Sequence, residues 1–174
     1  DMLGTLAEMF KGEVDRVVIL SGDLDVLQLV DGERVVAEII KTGVSETVRY
    51  DRAAVIARYG LPPEKLPDYK GLVGDASDNI PGVKGVGPKT AAELIKKYGS
   101  LEKVFEEAPL IPGAVGKKLE NQAEIARQSK RLATIRRDAP IAVTLESLKM
   151  KPFDVTAITK YFEELGFQSL IRRL

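Results

Sequence analysis

The sequence contains no cysteine and no histidine. Without cysteine there is no disulfide framework and no thiolate chemistry, which fits an intracellular protein. The missing histidine excludes more. It removes the usual zinc ligand and the usual general base, so any catalysis must run on carboxylates, lysines, hydroxyls or a hard metal ion. Long apolar runs are absent too: none approaches the roughly 20 residues of a membrane span, and the first residues do not read as a signal peptide. No membrane partner is therefore expected.

Net charge is also lacking, at +0 over 174 residues, but the average hides a split. Residues 1–79 hold 9 Lys+Arg against 15 Asp+Glu, and residues 80–174 hold 17 against 11. An acidic half joined to a basic half suits a cation site beside a polyanion-binding surface. With 44% hydrophobic residues the chain has enough apolar material for a core, and its length suits one domain or one domain plus a helical appendage.

Met2–Phe10 has helical spacing, and Val17–Ser21 is a short β-branched run that predicts a strand buried on both faces. Arg34–Ile40 and Glu46–Tyr50, separated by Lys41–Ser45 with Gly43, predict a hairpin. Asp51 is an N-cap candidate for a helix ending at Gly60. Beyond Leu66 the pattern is helical almost throughout. Breaks are expected at Pro81-Gly82 and Gly85–Gly87, and a helix over Lys89–Tyr98 opens on Pro88 and ends at Gly99. Ser100 should cap Leu101–Ala108, one long charged helix should cover Gly116–Ile135, and a last one behind Asp154 should reach Leu165. The fold class expected is α/β: a partial parallel-sheet nuclease-like core at 1–79, followed by a helical region at 80–174. A buried parallel strand needs parallel neighbours, and the chain opens on Asp1 inside a helical pattern, so strands upstream in a parent protein are expected.

Four acids fall in two tight pairs. Asp23 and Asp25 follow the strand directly, where an extended segment puts both side chains on one face, at the carboxyl end of a strand where open α/β sheets bind ligands. Asp75 and Asp78 stand at i, i+3, one helical turn apart. Like charges this close are unfavourable without a cation, and no internal cation is apparent to balance them. Hard oxygen donors without His or Cys select Mg²⁺ or Mn²⁺. The plainer alternatives are a solvated turn for the first pair and a helix cap for Asp78.

Ile80–Ala91 reads IPGVKGVGPKTA. Glycines at Gly82, Gly85 and Gly87, with Val86 between the last two and Pro88 opening a helix, describe two helices joined by a tight turn. Such a turn points free amides and a helix N-terminus at a phosphate, with Lys84, Lys89 and Thr90 at hand. This is a helix–hairpin–helix signature.

VVILSGDLDVLQLV (Val17–Val30) and VGDASDNIPGVKGVGPKTA (Val73–Ala91) closely resemble the 5′-nuclease domain of bacterial DNA polymerase I, in the flap endonuclease superfamily. The likeness runs through ITKYFEELGFQSLIRRL (Ile158–Leu174). It implies a structure-specific 5′-3′ exonuclease or flap endonuclease that hydrolyses DNA by a two-metal mechanism. Asp23 and Asp25 match one pair of metal ligands, Asp75 and Asp78 another, and Asp1 the last acid of a central cluster. The hairpin, Gly82 to Thr90, matches the element that holds DNA, with a monovalent cation implied there. Implied partners are duplex DNA with a 5′ flap, nick or 5′ end and a covalently linked polymerase domain, in the bacterial cytoplasm on the nucleoid. The family's first- and second-strand acids, the earlier acids of the central cluster and the basic helical arch have no counterparts, so this chain alone is expected to cleave poorly. Two other readings stay open at this point: a non-catalytic DNA-binding fragment, and a haloacid-dehalogenase-like phosphatase with GDLDVL as its nucleophile motif and Asp23 as nucleophile.

Overall fold

The computed structural model describes residues 1–42 and 46–174. Its compact units are Asp1–Ile141 and Ala142–Leu174. In the first unit, helix α1 (Met2–Phe10) precedes strand β1 (Val17–Ser21), a 3₁₀ turn over Leu24–Leu29, and strands β2 (Val35–Thr42) and β3 (Glu46–Tyr50). The sheet order is β1-β2-β3: β1 pairs parallel with β2, Ile19 opposite Ala37, and β2 pairs antiparallel with β3, Ile39 opposite Val48. The turn expected at Gly43 lies outside the described residues.

Strand β1 is not buried on both faces. Only Ile19 is enclosed, whereas Val18 is 50% and Leu20 55% exposed. The strand's apolar run reflects one covered face and one uncovered face of a sheet edge. Ile19, Val35, Ala37 and Ile39 instead meet Val26, Leu27 and Leu29 of the 3₁₀ turn in one hydrophobic cluster.

The helical part follows: α2 (Arg52–Tyr59), α3 (Leu66–Val73), α4 (Pro88–Tyr98), α5 (Leu101–Glu106), α6 (Gly113–Leu119) and α7 (Ala123–Ala133). Local chemistry sets these boundaries. The Asp51 carboxylate accepts from the Ala54 amide at 2.8 Å, the Ser100 hydroxyl accepts from Lys103 at 3.3 Å, and Gly60 and Gly99 close their helices in the left-handed region. Each cap contributes about 1 kcal/mol. Leu72, Val83, Ile95, Leu101, Val104 and Leu119 pack a second cluster that also takes in Leu61. The change from acidic to basic composition at 79–80 therefore runs through a packed helical cluster.

The single long helix expected over Gly116–Ile135 is two helices. Asn121 takes φ 60, the chain turns at Glu120–Gln122, and α7 starts afresh at Ala123. Helical charge spacing alone does not reveal this, because Asn tolerates the left-handed region that stops a helix.

The second unit holds α8 (Val155–Glu164), capped by Asp154 accepting from Ala157 at 2.9 Å, and a short α9 (Gln168–Ile171). Neither helix buries a residue, and Phe153, Tyr161 and Phe167 are exposed. Among the described residues no helix is long and apolar enough to cross a membrane.

Candidate active site

Asp25, Asp75 and Asp78 bring ligand oxygens within 4.8 Å of one another. Neither acid pair is held as its spacing suggests. Asp23 and Asp25 do not lie on an extended segment: Asp23 caps the 3₁₀ turn, its Oδ1 accepting from the Asp25 amide at 2.8 Å, and the Ser21 hydroxyl accepts from the Asp23 amide at 3.1 Å. Asp75 and Asp78 do not lie on a helix. They sit in a tight turn closed by two backbone bonds between Asp75 and Ile80, each 2.8 Å, with Asn79 at φ 57. The turn does the work assigned to the helix, because four residues folded back on themselves also set i and i+3 side by side.

The site contains a cation that the sequence reading missed. Lys70, on α3, reaches Asp75 Oδ2 at 2.8 Å and also pairs with Asp25. All three side chains are largely enclosed, Lys70 to 13% exposure. The hydrogen bond from Lys70, seconded by the Ser77 hydroxyl and amide, lowers the Asp75 carboxyl to about 2. The signal in the sequence is spacing: Lys70 stands on the last turn of a helix that ends just before Asp75.

Asp23 and Asp1 fall in a neighbouring groove of about 420 Å³, with Asp25 common to both sites and Ser21, Leu132 and Thr134 along its wall. Asp1 Oδ1 accepts from the Arg136 amide at 2.8 Å. Gln28, buried in the 3₁₀ turn, fixes that wall, donating to Ala133 and accepting from Ile135, both at 2.9 Å. Five carboxylates thus line one continuous acidic surface, three of them converging. Such an all-oxygen donor set suits a hard divalent ion, and the ammonium wedged between Asp25 and Asp75 marks where positive charge is drawn.

Immediately after the Asp75 turn comes the glycine hairpin, between α3 and α4. Gly74 at φ 77 and Gly82 at φ 62 lie back to back, and a Cβ on either would collide with backbone of the other's segment. Gly74 was not singled out in the sequence, yet it is what lets the acid turn and the hairpin share one compact loop. Gly85, at φ 86, lies under the Lys118 side chain, whose Nζ donates to the Gly85 carbonyl at 2.8 Å. Gly87 differs: it has φ −92, is the N-cap of α4 without a side-chain cap bond, and has open space where a Cβ would stand. Val86 is buried in the second cluster, while Lys84 and Lys89 are exposed and Thr90 half-buried. The Lys84 amide donates to Gln122 Oε1 at 2.9 Å, and the Gly82 amide to the buried Ser129 hydroxyl at 3.1 Å, so α7 and its leading turn brace the hairpin from behind.

Residues 61–156, more than half of the chain, match the model of the family described as 5'-3' exonuclease, C-terminal SAM fold. The chain belongs to that family. The matched span holds Lys70, the Asp75–Asp78 turn, the hairpin and both helices that brace it. Among curated relatives, the DNA polymerase I of Caldicellulosiruptor bescii is 42% identical over 176 residues, covering 100% of this chain and 21% of that protein. DNA polymerase I of Bacillus subtilis is 42% identical over 175 residues, covering 100% of this chain and 20% of that protein. The chain thus spans about a fifth of the length of the curated relatives it matches. Of solved structures, the bacteriophage T5 D15 flap endonuclease in a pseudo-enzyme–product complex with DNA and metal ions superposes with TM-score 0.67 at 21% identity, over 76% of this chain and 47% of that one. The catalytic core of Rad2 in complex with DNA substrate gives 0.52 at 17% identity, over 93% and 56%. Both likenesses concern the fold. Membership of the 5'-3' exonuclease family overturns the dehalogenase-like alternative.

Proposed function

We propose that this chain is the carboxyl-side part of a structure-specific 5′ nuclease that hydrolyses DNA phosphodiesters at a flap, nick or 5′ end, in a protein that also carries a polymerase domain and works on the bacterial nucleoid. The observation that carries the reading is the convergence of Asp25, Asp75 and Asp78 within 4.8 Å, the last two on a loop that runs directly into the glycine hairpin. A cation site and a phosphate site built on consecutive residues suit an enzyme that cuts the backbone it holds.

In this reading Asp25, Asp75 and Asp78 hold Mg²⁺ or Mn²⁺, and Asp23 and Asp1 supply further carboxylate on the adjoining groove. The ion, when bound, supplies an activated water and offsets charge on the leaving oxygen without any histidine. The chain's own groups do the rest. Lys70 balances Asp25 and Asp75 when no other cation does. Gly87, Lys89 and Thr90 present the uncapped start of α4 to a phosphate. Gly82 and Gly85 shape the loop and Val86 anchors it. Lys84 adds a mobile charge. None of these groups reads a base edge, so recognition follows DNA shape rather than sequence.

A second reading, a DNA-binding fragment that does not cut by itself, is favoured by one observation. Among the described residues a single three-carboxylate group forms, and Lys70 occupies it. Two experiments decide the matter. Mn²⁺ titration by calorimetry should show binding that Asp75→Asn weakens at least tenfold. Cleavage of a 5′-flap duplex in Mn²⁺ by the full-length protein should depend on the same residue. Binding of Mn²⁺ unchanged by Asp75→Asn sinks the metal site. Metal and DNA binding by the full-length protein, with cleavage that does not depend on Asp75, selects the second reading.

A further inference from the structure

Helix α7 has an outward face that the hairpin does not use. Arg127 and Arg131 stand there one turn apart, and with Glu102, Lys130, Thr134 and Arg136 they line a groove of about 430 Å³. Four cations thus face one carboxylate. Two of the four are spoken for: Lys130 is drawn to Asp68 at 2.6 Å and Glu102 at 2.8 Å, and Arg136 to Asp138 at 3.0 Å. The other two are not. Arg127 meets only Glu124, at 3.4 Å and in the open, and Arg131 has no hydrogen-bond or ion-pair partner among the described residues. Like charges at i, i+4 repel along a helix, and Glu124 offsets only the Arg127 end, so an anion from outside adds to the balance of the pair.

The position of this groove matters as much as its charge. Thr134, the C-cap of α7, lines both the basic groove and the acidic one that holds Asp1, Asp23 and Asp25. A linear polyanion lying in one can pass Thr134 into the other. It also needs to. A phosphodiester brought to a cluster of carboxylates is repelled by them, and a cationic wall one residue away supplies the compensating attraction. Guanidinium suits this use better than ammonium, because its planar fork matches two phosphate oxygens at once.

We infer that Arg127 and Arg131 form a second phosphate-binding site, separate from the hairpin. It takes consecutive phosphates of the strand whose scissile bond lies at the acids, on the side of that bond bordered by Thr134. The inference rests on the proposed DNA-cutting function. The site binds backbone and not bases, and a strand and not a free phosphate.

The test is a coupling experiment between protein and DNA. The chain, its R127Q/R131Q variant and an R127K/R131K variant are titrated by fluorescence anisotropy with a 5′-flap duplex in Ca²⁺ at several salt concentrations. The duplexes carry single neutral methylphosphonates stepped along the strand that is cut. For the unaltered chain, one or two adjacent neutralised positions should cost about three- to tenfold in affinity. R127Q/R131Q should lose at least tenfold on native DNA, its log–log salt slope should fall by about two, and the same methylphosphonates should cost it nothing more. R127K/R131K should keep the slope and lose less. An unchanged slope in R127Q/R131Q with native circular dichroism and melting temperature overturns the site, as does equal loss from methylphosphonates in both proteins. Inorganic phosphate competing at millimolar concentration as well as DNA strand does would overturn the strand assignment. If the unaltered chain binds no DNA, the proposed function itself fails, an outcome distinct from loss of this groove alone. A Lys89→Ala control should weaken binding without altering the methylphosphonate pattern.

Discussion

Lys70 Nζ lies 2.8 Å from Asp75 Oδ2 and holds that carboxylate in its charged form. A cation-binding surface thus comes with its own cation, and any metal ion entering among Asp25, Asp75 and Asp78 competes with an ammonium. The pair also has consequences for acid behaviour. Asp75 falls from its ordinary value to about 2, chiefly because Lys70, then Ser77, donates to the ionised form. A carboxyl lowered in the folded state contributes stability that is fully present above the unfolded value and is lost as pH falls through the folded one. The window here is roughly pH 4 down to pH 2. Carboxyl NMR of metal-free protein should find the Asp75 midpoint near its lower end, and Lys70→Met should move it up by a unit or more. A midpoint that does not move shows that Ser77 alone lowers it.

The same ammonium should tune metal affinity. Lys70→Met leaves three carboxylates with no internal cation, so Mn²⁺ binding to the DNA-free chain should tighten several-fold while Asp78→Asn weakens it. Calorimetry at 0.1 M salt measures both. Weaker Mn²⁺ binding in Lys70→Met would mean that the lysine organises the acids more than it competes with the ion.

How much of this was legible beforehand varied with the source of the order. Caps at Asp51, Ser100 and Asp154 and the stop at Gly60 were readable because a single residue decides each of them through a bond to its own neighbourhood. The acids could be listed but not arranged. Whether Asp75 and Asp78 ride on a helix or a turn depends on the backbone bonds between Asp75 and Ile80 and on Gly74 meeting Gly82, and such pairings carry no periodic signature. For Lys70 the sequence offers only its spacing to Asp75; its pairing with Asp25, from a segment far away in sequence, leaves no local signal. The face of β1 was misjudged because an apolar run reports what a strand is able to bury, and Val18 and Leu20 are left uncovered.

Gly87 separates binding from folding. Beyond its chain neighbours no heavy atom lies within 4 Å of where its Cβ would stand, and its φ is ordinary, so the fold does not require glycine there. Gly87→Ser should leave melting unchanged or slightly raised, since serine is a good N-cap. If backbone approaches a phosphate at this point, DNA affinity should nonetheless drop several-fold on unrelated sequences. Gly82→Ala should do the reverse of a clean binding variant and lower stability severely, because its Cβ runs into the backbone at Val73 and Gly74. Equal DNA affinity for Gly87→Ser and the unaltered chain would make the hairpin a purely structural turn.

Asp68 offers a stability test away from the site. It is 6% exposed, accepts from the Leu101 amide at 3.0 Å, and pairs with Lys130 at 2.6 Å. Removing the carboxylate leaves a buried amide and a half-buried ammonium short of partners, so Asp68→Ala should cost about 3 kcal/mol in urea unfolding. A cost below about 1 kcal/mol would mean that Glu102 and water satisfy Lys130 unaided.

The last prediction concerns Gln122, which exists as a brace only because the helix expected through it is broken. Asn121 at φ 60 turns the chain, and Gln122 then faces the hairpin. Its Oε1 accepts from the Lys84 amide at 2.9 Å, and its Nε2 donates to the Lys84 carbonyl at 3.4 Å and to the Lys118 carbonyl. One side chain thereby ties both backbone groups of Lys84, while Lys118 ties the next carbonyl, at Gly85. The loop that presents Gly87 and Lys89 is pre-ordered by these bonds, and a pre-ordered loop loses less entropy when a phosphate arrives. Gln122→Met keeps the size and helix propensity of the side chain and removes all of its bonds. Hydrogen exchange at the Lys84 amide should quicken by tenfold or more, with exchange in α4 unaltered. DNA affinity should fall several-fold with the salt slope unchanged, because no cation has been lost. Gln122→Glu sharpens the test: it keeps the acceptor for the Lys84 amide, loses the donors, and should restore slow exchange at Lys84. Fast exchange in both variants with native DNA affinity would show that the hairpin needs no brace. A reduced salt slope in Gln122→Met would show instead that the variant has displaced Lys84 or Lys118 from the DNA.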